Sequence, residues 1–114
     1  MKRIAGRVPV ELGIVAAEFA FRLALGREVG LIEAEGRERA DRLLALLWEV
    51  YSRYLQPTAS DAGRPGGLSH EEQRRRLLAA NAFFVGVAVL ESLYGVDTFA
   101  RWIAGELDAE ELSA

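Results

Sequence analysis

The stretch PVELGIVAAEFAFRLAL at 9–25 and the stretch LLAANAFFVGVAVL at 77–90 decide the fold of this 114-residue chain. Wound at about 100° per residue, the first leaves one narrow polar line, Glu11, Glu18 and Arg22. The second carries a single polar side chain, Asn81. Helices that are apolar almost all the way round need neighbours on most sides, and a chain this short has few to offer. The pattern therefore predicts an all-α protein that completes its burial by dimerising. Phe19, Phe21, Leu23 and Leu25 also alternate, which permits a strand with a hairpin at 26–30. Ala16, Ala17, Ala20 and Ala24 are strong helix formers and favour the helix.

Around these two stretches the sequence predicts one domain, a four-helix bundle-like fold with helices at 9–25, 31–55, 69–94 and 97–107. Pro9 suits the first helical position, Glu11 complements the positive end of the dipole, and Gly26 is a natural stop. The second helix is predicted from four pairs with the acid four residues before the base: Glu33 with Arg37, Glu35 with Arg39, Glu38 with Arg42, and Glu49 with Arg53. Ala40, Leu43, Leu44, Leu47, Val50, Tyr51 and Tyr54 form its core stripe. The short connection at 26–30 predicts that the first two helices are antiparallel neighbours.

Two prolines and three glycines mark 56–68 as a flexible linker between two helical halves. Ser69 followed by Glu72 is a capping box that opens the third helix, and Gly95 ends it. Gly86 either kinks that helix or admits close approach of another. Asp97 is the expected cap of the fourth.

Composition bounds the function. With 51% hydrophobic and 27% charged residues the chain is globular, with room for one core. A net charge of −3 disfavours nucleic-acid binding by bulk electrostatics. Absence of cysteine excludes disulfides, thiolate metal sites and cysteine nucleophiles. Glu11, Glu18 and Arg22 interrupt the apolar region that a secretory signal would need, and the run at 77–90, between Arg76 and Glu91, is short for a bilayer span. The expectation is a soluble, cytoplasmic protein with no membrane partner. Thirteen arginines against one lysine, with few amides, suit a thermophilic source or a GC-rich genome equally.

Glu35-Gly-Arg-Glu38 resembles the paired-carboxylate helices of the all-helical nucleotide pyrophosphatases of the MazG type, which hold magnesium. That family's second acidic pair, ExxD, is missing: Glu49 is followed three residues on by Ser52, and Glu91 by Tyr94. The segment 90–106 resembles a helix-turn-helix in outline. Glu91 stands where a small residue normally packs, and Phe99 and Trp102 stand where base-reading polar residues belong. Solvated ion pairs and a buried aromatic helix are the expected readings of these two segments.

Arg74, Arg75 and Arg76 form the most concentrated positive charge, with His70 on the same helical line as Arg74. They are the candidate contacts for an anion, a phosphate backbone or an acidic protein surface. Glu18 and Asn81 are expected to be buried polar groups that set register. Gly13, Ala17, Ala20 and Ala24 form a row of small residues on the first helix, and Ala79, Ala82 and Gly86 form one on the third. These rows are the predicted dimer interface; the competing reading packs the first helix against the third within one chain. No catalytic residue, metal-ligand set or cofactor motif is identified. The expected function is a non-enzymatic helical interaction or assembly module that forms homo-oligomers. A nucleic-acid-associated accessory subunit using Arg74, Arg75 and Arg76 is the second reading, and a small-ligand binder or carboxylate-based enzyme the third.

Overall fold

The computed structural model describes residues 9–56 and 69–107. Within them lie α1 (Val10–Leu25), α2 (Gly36–Val50) continued by a π-helical turn (Tyr51–Leu55), α3 (His70–Tyr94) and α4 (Thr98–Ile103). No strand occurs among the described residues. The alternation at 19–25 is resolved by the helix period: Phe21 points into the core, whereas Phe19 and Leu23 share the opposite face. The expected linker at 56–68 lies, apart from Gln56, outside the described residues.

Pro9 precedes α1 rather than beginning it, with φ −54° and ψ 142°. At the other end Gly26 adopts φ +72° and donates its N–H to Arg22 O, the left-handed stop that glycine accepts without strain. The second helix starts five residues later than its charge pattern suggests. Residues 31–35 form a turn instead, because two side chains satisfy the backbone of the preceding loop. The Glu18 carboxylate accepts from Leu31 N at 2.7 Å and from Val29 N at 3.2 Å. Arg42 Nη1 donates to Val29 O at 3.2 Å and Gly30 O at 3.1 Å. Leu31 and Ala34 enter the core from this turn. Glu33 and Glu35 thus precede α2, and the expected pairs Arg42–Glu38 at 2.9 Å and Arg53–Glu49 at 3.3 Å form along the helix.

The core stripe of α2 runs through Ala40, Leu43, Leu44, Leu47 and Val50, joined by Leu46. Beyond Val50 the ladder widens to five-residue spacing, with Gln56 N donating to Tyr51 O at 2.8 Å. Ser52 Oγ donates to Trp48 O at 2.7 Å, the local competition for a carbonyl that loosens a helical ladder. Arg76 Nη1 from α3 donates to Tyr54 O at 2.9 Å, so a carbonyl near the helix end is satisfied by a cation.

Ser69 and Glu72 make the capping box reciprocally, Glu72 N donating to Ser69 Oγ at 3.2 Å and Ser69 N to Glu72 Oε1 at 3.1 Å. The helix they open is the hub of the molecule. It packs along α1 and also meets α2, the π turn and α4, while α1 and α2 touch each other only slightly. The first two helices, expected to be antiparallel neighbours, meet over a small contact beyond the turn at 31–35, and α3 lies against both.

Gly86 is what allows that convergence. A Cβ built there would stand 2.7 Å from Phe21 Cζ on α1 and 2.8 Å from Leu47 Cδ2 on α2. Rings of Trp48, Tyr51, Phe83, Phe99 and Trp102 follow one another at centroid spacings of 5.4–5.9 Å, tying the end of α2 through α3 to α4. Asp97 does not cap α4 with its side chain. Its own φ is +64°, and its N–H donates to Glu91 Oε2 at 3.0 Å.

Candidate functional site

The two small-residue rows do not face outward. Gly13, Ala17, Ala20 and Ala24 on α1 and Ala79, Ala82 and Gly86 on α3 are all buried within the single chain. A Cβ on Gly13 would meet Val89 Cγ2 at 3.2 Å. The predicted interface at these seven residues is corrected: small side chains let α1 and α3 of one molecule approach closely, and that contact uses both rows.

The two polar residues expected to be buried part company. Glu18 is 6% exposed and clamps the loop at 29–31 through two backbone hydrogen bonds. Asn81 is exposed on the outer face of α3, a correction to the expected burial. Apolar neighbours along the sequence could not reveal this, since they surround Asn81 on every side.

The arginine cluster is divided by its helix. Arg76 is half-buried and holds Tyr54 O, Arg75 lies 3.7 Å from Glu71, and Arg74 is exposed. His70 is exposed at the first turn of α3. Three cations therefore do not converge on one ligand position. Elsewhere a cleft of about 250 Å³ is lined by Arg27, Val29, Arg42, Leu46 and Glu49 among others. Its cations are already engaged, Arg27 with Glu49 and Arg42 with Glu38 and two carbonyls. No group of three or more potential metal ligands occurs among the described residues.

Tyr94 links the end of α3 to the start of α2, its hydroxyl donating to Gly36 O at 3.0 Å. Burial raises its pKa above 10.0, Arg39 opposes the rise and nearby Asp41 adds to it. The folded value exceeds the unfolded one, so this contribution to stability is complete below pH 10 and is lost as pH rises through the folded value. Tyr94→Phe is expected to flatten the alkaline fall in stability measured by urea unfolding. An unchanged alkaline profile would show that burial does not disfavour the ionised Tyr94 hydroxyl.

Several large apolar side chains also remain exposed. On α1, Leu12, Val15, Phe19 and Leu23 lie along the face opposite the core, Phe19 at 56% exposure. On α3, Leu77 and Phe84 are 72% and 75% exposed. The sequence carries this signal in the spacing of Leu12, Val15, Phe19 and Leu23, but the small-residue rows compete with it for the role of outer face. The helix His70–Tyr94 is also long and apolar enough to cross a membrane by length and composition alone. No family model, curated protein or solved structure matches this chain.

Proposed function

We propose that this protein is a non-enzymatic helical interaction module, a bundle-like unit completed by association with further copies of itself through apolar protein–protein contacts. The observation that carries the reading is the pair of outward apolar faces. Leu12, Val15, Phe19 and Leu23 on α1 and Leu77 and Phe84 on α3 stay in solvent after the core has closed. Scattered apolar side chains are ordinary on a protein surface; a row of four along one face of α1, with two more on the outer face of α3, supports an interaction site. Fully burying one such side chain contributes roughly 1.5–3 kcal/mol, so several together offset a substantial part of the cost of joining two chains.

Light scattering across a concentration series tests this. The mass is expected to rise above the 12.5 kDa of one chain as concentration increases. A sharp 12.5 kDa species at high micromolar concentration would remove the self-association on which the reading rests.

A further inference from the structure

We infer that two copies pair antiparallel through the outer face of α3, so that Arg74 of each copy meets Glu91 of the other. This rests on the self-association proposed above and assigns it a face, a direction and a register. Arg74, Leu77, Asn81, Phe84, Ala88 and Glu91 recur along α3 at alternating spacings of three and four residues, the repeat of a coiled-coil seam. All six lie on the side away from α1 and α2, and five are exposed, Glu91 being half-buried.

The order of residues within the seam selects the direction. Turned antiparallel about a twofold axis beside residues 82–83, Arg74 falls opposite Glu91, Leu77 opposite Ala88, and Phe84 opposite Asn81. Opposite charges meet at both ends, and each of the two large side chains lands beside a smaller one. A parallel pair would set Arg74 on its own copy, Glu91 on its own copy and Phe84 on its own copy. Like charges would then repel at both ends.

Both charged groups can take part. Arg74 has no ion-pair partner among the described residues. Glu91 holds Asp97 N with Oε2 only, leaving Oε1 for a guanidinium. Asn81 lies next to the axis, where its amide and that of its symmetry mate come within hydrogen-bonding range. Shifting the register would bury each amide without a partner, so Asn81 would specify this alignment over shifted ones.

A bilayer is the competing occupant, because the same helix is long and apolar enough to span one. Lipid would cover the face that carries Asn81, Arg74 and Glu91 and would offer nothing to the Asn81 amide, the Arg74 guanidinium or Glu91 Oε1. A second copy supplies a partner for each, and the observations favour it. The covered area is on the order of 1,000 Å², the size of a weak, concentration-dependent pair.

The chain contains no cysteine, so introduced ones report on the seam alone. The full chain carrying both Leu77→Cys and Ala88→Cys is treated with a short bismaleimide at a concentration where light scattering shows pairing. It is expected to yield a covalent dimer. Leu77→Cys alone is expected to stay monomeric on denaturing gels, because its two copies lie about 16 Å apart along the antiparallel axis. Arg74→Glu is expected to weaken pairing about tenfold, by placing like charges at both ends.

Covalent dimer from Leu77→Cys alone would overturn the antiparallel register while leaving self-association standing. Association abolished by Leu12→Ser with Phe19→Ser but untouched by Arg74→Glu would move the interface to α1 and overturn the inference in the same limited way. Co-sedimentation of the wild-type chain with anionic phospholipid vesicles, without pairing in solution, would replace the second copy by a membrane. Monomeric wild-type protein at every concentration would end both this inference and the reading beneath it.

Discussion

Replacing Glu18 by alanine is expected to destabilise the protein by about 2–5 kcal/mol, because it leaves two backbone donors without an acceptor. Leu31 N donates to one carboxylate oxygen at 2.7 Å and Val29 N to the other at 3.2 Å. Leu31 is fully buried, so water cannot take over its bond. A buried donor left unpaired costs roughly 1–3 kcal/mol, and the part-buried Val29 N loses its acceptor as well. Glu18→Gln keeps one acceptor oxygen and sets an amide NH2 against the other N–H, so a smaller loss is expected. Urea unfolding of both variants measures the difference. A loss below about 1 kcal/mol for Glu18→Ala would show that the clamp is not what holds the turn at 31–35.

Gly86→Leu is expected to lower the thermal midpoint by about 10–20 °C, if the variant folds at all. A Cβ alone would stand 2.7 Å from Phe21 Cζ and 2.8 Å from Leu47 Cδ2. Both of those side chains are completely buried, so neither can swing into solvent to make room. Overpacking a close-packed site costs roughly 1–3 kcal/mol and sometimes more, and leucine adds four carbon atoms where one already collides. Alanine at the same position sets the same Cβ collision against a helix-propensity gain of about 1 kcal/mol, so its effect is expected to be smaller. A Gly86→Leu protein with the wild-type midpoint would mean that α1, α2 and α3 do not converge at this residue.

These two positions also separate what local sequence decides from what packing decides. Helix identity follows from period and from backbone chemistry that acts over a few residues. The stripe from Ala40 to Val50, the Ser69–Glu72 capping box, the glycine stops at Gly26 and Gly95, and the pairs Glu38–Arg42 and Glu49–Arg53 were all legible for that reason. None of them requires knowing which helix lies beside which. The Glu18 bonds span 11 and 13 residues, and they moved the start of α2 from 31 to Gly36 against its charge pattern.

Two apolar helices with several candidate faces have no sequence-level rule for choosing the inner one. Asn81 and Glu18 looked alike in sequence, each a polar group in an apolar run, yet one faces solvent and the other is buried. Of the candidate site residues, the small rows are legible as a close helix contact, but sequence does not choose between a contact within one chain and one between two. The outer face of α3 is set by the packing of Phe21 and Leu47 against Gly86 on its inner face. The sequence alone determined that the chain is helical, where most of its helices stop, and which residues can cap or pair locally, because those interactions close within one or two helical turns. The tertiary structure decided which faces are buried, where α2 begins and which apolar surface is left outside, because each depends on side chains that meet from different helices.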